Sequence, residues 1–315
     1  MTRLPPFLRF TPIYKNYLWG GDAIPRRYGR AGAPRPCAES WELSAHPDGD
    51  STVAAGPLAG RTLSSLAAEF GRDITGVRAP FATRFPLLCK LIDARQSLSV
   101  QVHPSPADPA ANPLEYKNEC WHVIDASPGC AILAGLDPAI RDKPTLAALA
   151  KDNPDALAAA LTRHAPNPGE TLYIPAGLVH AIGAGALIYE VQQSANTTYR
   201  LHDWGRVGPD GLPRPLHIDA AVRSIDLSLP PPRFQAHTLA TPYFTIRECR
   251  AAAAFDFGAA SFAILFAKAG AFSVSATATG ETERLRAGES LLVVPEAPFA
   301  LEPDAPGSAA LVTTL

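Results

Sequence analysis

No apolar run in this 315-residue chain approaches the ~18 residues that a helix needs to cross a bilayer, so no helical membrane span is expected. There is no cluster of Lys and Arg and no basic stripe interleaved with aromatics. The formal charge is −2, so nucleic acid is not an expected partner. Cysteines are few: Cys37, Cys89, Cys120, Cys130 and Cys249 are scattered, odd in number and without C-x-x-C spacing. They read as small buried side chains or incidental thiols, not as a disulfide frame or a zinc–thiolate site. The opening segment MTRLPPFLRF has prolines where a signal peptide carries its apolar stretch, which points to a cytoplasmic location.

The composition is that of a soluble globular protein with a substantial core: 47% of residues are hydrophobic and 18% are charged. The length suits one large or two ordinary domains. Short β-like runs recur between glycines and prolines, among them LLCKLID, LSVQVHP, CWHVIDA, CAILAGL, ETLYIPAG, ALIYEVQQ, FAILFAKAG and ESLLVVPEA. Their density predicts an all-β sandwich or barrel. The Ala- and Leu-rich stretch from about Asp137 to His164 predicts a helical insertion (about 137–165), and RTLSSLAAEFG a further short helix. A proline-rich stretch, RVGPDGLPRPLHIDAAVRSIDLSLPPPRFQ, reads as a linker with a short helix at Ile218–Ser224. The expected division is a first domain over 1–228 and a C-terminal β domain over 229–315.

In LSVQVHP, alternation puts Leu98, Val100 and Val102 on one face and Ser99, Gln101 and His103 on the other. A second pattern is Gly169-x5-Pro175-x-Gly177-x2-His180: a glycine turn, a strand, then a tight Pro-x-Gly turn that re-aims the chain towards His180. This arrangement matches the second conserved motif of the cupin superfamily, except that Ala184 stands where an asparagine is often found. The stretch AFSVSATATGETERLRAGESLLVVPEAPFAL has a similar shape but carries Pro298 and Phe299 near the histidine position. It reads as a degenerate repeat, and metal chemistry is expected only in the first copy. Gln101, His103, Glu119 and a later histidine make a mixed N/O set suited to Zn²⁺, Fe²⁺ or Mn²⁺, with open positions for water or substrate. His122 alternates with Glu119 onto the opposite face and reads as structural. His46, His164, His202, His217 and His237 carry no spacing signal.

The chain resembles the type I phosphomannose isomerases in their short bacterial form. The resemblance is carried by KNYLWGG, ESWELSAHPDG, FPLLCKLIDARQSLSVQVHP, YKNECWHVIDASPG and GETLYIPAGLVHAIGAGALIYEVQQSANTTYRLHDWGR. It implies a mainly β fold: a cupin (jelly-roll β-barrel) catalytic domain with a small helical insertion, and a second, degenerate cupin-like β domain. It places the zinc ligands on Gln101, His103, Glu119 and His180, one ion per chain. It implies interconversion of mannose 6-phosphate and fructose 6-phosphate through a cis-enediol(ate), with a hexose phosphate as partner and a monomer or weak homodimer as the assembly.

Within that resemblance, Glu190 matches an active-site acid and is the first choice for proton shuttle; a metal-bound water, Lys117 or a histidine are the alternatives. Arg200 matches the family's active-site arginine and would stabilise enediolate or phosphate charge; alternation predicts that it shares a face with Thr198 and His202. Lys117 shares Glu119's face, Lys90 is a candidate for substrate oxygens or phosphate, and Trp19 for the pocket wall. A metal-dependent cupin of another class, such as a dioxygenase, and a non-catalytic sugar-binding cupin are the competing readings.

Overall fold

The computed structural model describes residues 4–208 and 210–315. Met1–Arg3, where the opening-segment reading begins, and Pro209 of the proline-rich stretch lie outside the described residues. Four main sheets hold the chain together. A seven-stranded antiparallel sheet contains β2 (Ile13–Lys15), β3 (Glu39–Leu43), β4 (Leu87–Ala94), β6 (Glu119–Ala126), β9 (Glu170–Ile174), β11 (Ala186–Gln193) and β13 (Gln235–Ala236), in the order β13-β9-β6-β11-β4-β3-β2. A five-stranded sheet contains β5 (Val100–Val102), β7 (Ile132–Leu136), β8 (Leu161–His164), β10 (His180–Ile182) and β12 (Tyr199–His202), in the order β8-β7-β10-β5-β12.

Two further sheets complete the C-terminal part. The first contains β1 (Phe7–Leu8), β14 (Thr238–Ala240), β15 (Thr245–Cys249), β17 (Ala263–Ala269), β20 (Ser290–Val293) and β22 (Ala309–Thr314), in the order β1-β20-β17-β22-β15-β14. The second contains β16 (Ala253–Phe255), β18 (Ala271–Ala276), β19 (Thr282–Arg286) and β21 (Phe299–Pro303), in the order β16-β21-β18-β19. The mainly β architecture expected from the sequence is the one observed.

The two sheet pairs are wired alike. β4 to β11, taken in chain order, pair with one another as β15 to β22 do: β6 lies between β9 and β11 just as β17 lies between β20 and β22, and β10 lies between β7 and β5 just as β21 lies between β18 and β16. The registers carry the match down to single residues. Glu119 faces Ile174, and Ala263 faces Val293; Gln101 faces His180, and Phe255 faces Phe299. Gly169 and Gly288 open the equivalent turns with positive φ, and Glu296 (φ 59°) takes the backbone conformation that Gly177 (φ 89°) takes in the first copy.

The second copy therefore holds Phe255, Phe257, Ala263 and Phe299 where the first holds Gln101, His103, Glu119 and His180. Phe255 lies 5.1 Å from Phe299 and 5.9 Å from Phe257, ring centre to ring centre. Apolar packing fills the space that polar side chains line in the first copy.

β11 shows why a strand at the centre of this fold reads as one apolar run. Leu187, Tyr189 and Val191 point into a core shared with the C-terminal sheets, where Tyr189 stacks on Phe266 at 4.5 Å. Ile188, Glu190 and Gln192 point the other way, between the two N-terminal sheets, and every residue of the strand but the last is buried. Both faces are covered, so alternation is lost.

The stretch 137–165 forms α4 (Lys143–Asp152) and α5 (Pro154–Ala159) and then joins the five-stranded sheet as β8. Asp142 and Asn153 cap the two helices through Thr145 N–H and Ala156 N–H, each followed by an early proline. With α6 (Ile218–Ser224), these helices cover the outer face of the five-stranded sheet: Leu146, Leu157 and Ala221 pack on Val100, Val102 and Leu201. RTLSSLAAEFG forms α2 (Leu63–Phe70), which buries Leu63, Leu66 and Ala67 in the shared core and is followed by the single turn α3 (Arg72–Thr75).

Candidate active site

Two rows of side chains face each other between the N-terminal sheets. On the five-stranded sheet, His180, Gln101 and Arg200 stand in register on the adjacent strands β10, β5 and β12. On the seven-stranded sheet, Trp121, Glu190 and Lys90 stand in register on β6, β11 and β4. Between the rows lies a cleft of about 340 Å³, lined by Trp19, Glu39, Lys90, Gln101, Lys117, Glu190 and Arg200 among others. This is within the range of small-ligand pockets. A larger open hollow of about 550 Å³, on the α1 (Ala23–Tyr28) side, holds none of the candidate residues.

At the closed end, His103, Glu119 and His180 offer one ligand atom each, all within 4.8 Å of one another. All three residues are buried. His103 Nδ1–H donates to the Thr197 carbonyl at 3.0 Å and His180 Nδ1–H to the Leu178 carbonyl at 2.9 Å. Each imidazole is thereby fixed in the tautomer that turns its Nε2 lone pair inward, the second-shell arrangement of metal-ligating histidines. The two Nε2 atoms lie 3.4 and 3.5 Å from the two oxygens of Glu119. The Gln101 side-chain amide meets His180 Nε2 at 3.3 Å, and its Oε1 accepts from Ser99.

The electrostatics suit a cation. Burial alone would raise the Glu119 pKa, but Lys117, His103 and His180 outweigh it and hold the carboxyl well below its usual range. Burial, then the neighbouring His103, pushes His180 down to about 3; burial and Lys117 lower His103. The set is a carboxylate with two neutral imidazoles. Neither Glu119 oxygen finds a hydrogen bond of good geometry, although Lys117 Nζ lies 2.7 Å from Oε2. A buried carboxylate with unsatisfied oxygens is costly unless a cation takes them. The donor set therefore fits a bound divalent metal.

Asn118 ties this end together. Its Oδ1 accepts from Tyr173 O–H at 2.9 Å and from Ala176 N–H at 3.0 Å, and its Nδ2 donates to Gln193 Oε1 at 2.7 Å. It thus fixes the Pro175-Ala176-Gly177 turn that aims His180. Gly177 also packs close: a Cβ there would meet Ser105 Oγ at 3.0 Å and the Ser224 carbonyl at 3.1 Å, and φ is +89°.

Beyond the metal set, Trp121 Nε1–H donates to Glu190 Oε2 at 3.0 Å and leaves Oε1 without a hydrogen-bond partner. Lys90 and Lys117 flank that Oε1 at 3.2 and 3.5 Å. Burial and the nearby Glu119 raise the Glu190 pKa, against the pull of the two lysines. Lys90 stays protonated in spite of its burial, because Glu190 and Glu39 hold it so; Glu39, 3.4 Å from Lys90, also accepts from Trp41 Nε1–H. Trp19 is buried and forms part of the wall.

The expectation that His202 shares a face with Arg200 is corrected. The register slips between Arg200 and His202: Arg200 faces Gln101, but His202 faces Val100. A bulge adds one residue, and one residue is enough to turn a side chain to the other face. His202 lies on the helical side, 3.2 Å from Asp155 of α5. His122 lies on the opposite face from Glu119, as alternation predicts, between Thr171 and Lys268. Glu39, Arg214 and His217 line the cleft without having been singled out in the sequence. Among the described residues no helix is long and apolar enough to cross a membrane.

The chain is similar to known proteins in sequence and in fold. Residues 7–122 match the family model of the phosphomannose isomerase type I catalytic domain. The chain is 38% identical over 226 residues to a putative mannose-6-phosphate isomerase, YvyI, of Bacillus subtilis, covering 71% of this chain and 69% of that protein. It is 38% identical over 241 residues to mannose-6-phosphate isomerase ManA of the same organism, covering 75% and 73%. The solved structure of mannose 6-phosphate isomerase from Bacillus subtilis superposes with a TM-score of 0.85 at 28% identity, over 99% of this chain and all of that one. From the residues of the motifs to the fold, the lines of evidence meet: the chain is an enzyme of the type I phosphomannose isomerase family.

Proposed function

We propose that the protein interconverts D-mannose 6-phosphate and D-fructose 6-phosphate through a cis-enediol(ate), using one zinc ion per chain. The observation that carries the reading is the convergence of His103, Glu119 and His180 at the closed end of a cleft that also holds Lys90, Lys117, Glu190 and Arg200. Gln101 would complete the ligand set through its amide oxygen, once the amide turns over from Ser99. When bound, zinc supplies a Lewis acid that polarises the sugar oxygens at C1 and C2.

The chain's own groups do the rest. Glu190 Oε1 takes the proton from C2 of the aldose and returns it to C1, while the hydroxyl proton passes from O2 to O1. The raised pKa of Glu190 brings a carboxyl nearer the range where it both accepts and gives a proton. Trp121 Nε1–H holds Oε2 so that Oε1 faces the cleft. Lys90 and Lys117 donate to sugar oxygens, with Lys117 the alternative proton carrier. Arg200 stabilises developing negative charge in a site walled by Trp19. Residues 1–228 are assigned the chemistry, and 229–315 a supporting role in which phenylalanines replace the ligands. No oligomeric partner enters the site in this reading.

The test is a coupled assay with mannose 6-phosphate before and after chelation and zinc restoration. Activity that disappears with the metal and returns with zinc supports the reading. Absence of isomerisation by zinc-loaded protein overturns it.

A further inference from the structure

The two imidazoles of the metal set each lean on one backbone carbonyl, Leu178 for His180 and Thr197 for His103. The first carbonyl follows the turn that Asn118 fixes. The second lies in residues 194–198, where the chain crosses from β11 in one sheet to β12 in the other. In that crossing, Ser194 N–H donates to the Pro86 carbonyl at 2.9 Å and Ala195 N–H to the Gln193 carbonyl at 2.7 Å. Arg84 donates to the Ser194 carbonyl at 2.7 Å, Asn196 bonds Asp48, and Thr197 bonds Glu115. The buried grip comes from Gln192, the last residue of β11 that points between the sheets. It is wholly buried, and its Nε2 donates to the Gln193 carbonyl at 3.0 Å and to the Ala195 carbonyl.

We infer that Gln192 is a positioning residue for the metal set: by gripping the Gln193 and Ala195 carbonyls it places the Thr197 carbonyl, and through that carbonyl the His103 ring. The inference rests on the metal reading above and deepens it. Both amide hydrogens are spent on carbonyls, so exchanging the amide nitrogen and oxygen would set three oxygens against one another. Oε1 has no hydrogen-bond partner among the described residues, so it costs the fold something by its burial. The two donors are what the position requires. Gln192 stands in register with Glu119, and the two side chains share a face. Two donors without a charge suit that place. A lysine or arginine would bring donors and also a positive charge that competes with the metal for Glu119; an ionised glutamate would bring no donor. The network closes on Gln193, whose Oε1 accepts from Asn118 Nδ2 at 2.7 Å while its carbonyl accepts from Gln192. The side chain that aims His180 and the one that aims His103 are thus bonded to the same residue.

The variant that reads this out is Gln192→Met, which keeps length and volume, removes both donors and also removes the unpartnered oxygen. Zinc affinity of the full chain, measured by competition with a chelator, is expected to fall about 10- to 100-fold, the usual effect of losing a group behind a ligand. Proton–nitrogen correlation spectra of the metal-stripped full chain should show His103 with its proton fixed on Nδ1 in wild type, and a mixture of tautomers in the variant. Gln192→Asn keeps two donors on a shorter stem. It should lose less affinity, and it carries the test if Gln192→Met does not fold. In a His103→Ala background, Gln192→Met should weaken zinc binding no further, because its effect runs through that ring. Zinc affinity within about twofold of wild type in Gln192→Met, or weakened affinity with the His103 signals unchanged, would overturn the inference, as would a full additional loss in the His103→Ala background. A wild-type chain that binds no zinc overturns the metal reading instead, and the His103 spectra then still decide whether Gln192 aims the ring.

Discussion

Phe299 stands in the C-terminal half where His180 stands in the N-terminal half, each opening a strand after a proline-bearing turn and each paired with the strand five places earlier in the chain. One position thus serves chemistry in one copy and packing in the other. Phe299→His is expected to gain no metal, because Phe255, Phe257 and Ala263 offer no companion ligand. It should lose about 3 kcal/mol of stability through lost contacts and a buried polar ring. Urea unfolding together with elemental analysis checks both halves of the expectation; a second metal ion per chain would show the correspondence to be wrong.

The metal set is testable residue by residue. Gln101→Ala, His103→Ala, Glu119→Ala and His180→Ala should each lose metal after dialysis and lower kcat/KM by about 100-fold or more, since even partners outside the ligand shell cost 10- to 100-fold. Metal retained at wild-type level in His180→Ala would remove it from the set.

Arg200→Ala should keep its metal and lose turnover by about 10²- to 10³-fold, the usual cost of deleting a charge-stabilising donor. Metal content and kcat measured on the same sample separate the two effects. Near-normal kcat would refute the role given to Arg200.

Glu190→Gln should lower kcat by about 10²- to 10⁴-fold. Trp121→Phe frees Glu190 Oε2 without touching its charge, so a smaller fall in kcat with little change in metal content is expected. Equal losses in Trp121→Phe and in a ligand variant would mean that the indole, which also lies edge-on to His180 at 5.2 Å, acts through the metal instead.

A pH effect on stability follows from His122. Burial, then Lys268 and Arg250, lowers its pKa to about 3. In the unfolded chain it titrates near 6.5, so below that pH the unfolded state binds the extra proton. Its contribution to stability is complete above about pH 6.5 and falls as pH drops towards 3, by up to about 1.4 kcal/mol per pH unit. Unfolding curves from pH 7 to pH 4 should be steeper in pH for wild type than for His122→Gln. Identical slopes would mean that His122 is not held neutral.

The sequence made some of this legible and hid the rest for physical reasons. Gln101 and His103 show through strict alternation, and Gly169, Pro175 and Gly177 through turn chemistry, because both are local. The repeat was visible as a shape, and Phe299 near the histidine position was its clue; the pairing of Ala263 with Glu119 needs registers that no single strand contains. Alternation failed at His202, where one bulged residue reverses the face. Arg214 and His217 lie in a proline-rich loop without periodicity, so nothing near them in the chain advertises that they line the cleft. Glu39 is the same case: its partner Lys90 is brought beside it by sheet pairing alone.

β1 has a consequence for synthesis. Phe7 and Leu8 pair with Val293 and Leu292 at the edge of the C-terminal sheet. A nascent chain emerges in order, so β1 must wait, apolar and unpaired, until β20 has left the ribosome. Closing so long a loop is slow. The idle β1 is therefore a surface open to a chaperone, or to a neighbouring nascent chain, before its partner β20 exists.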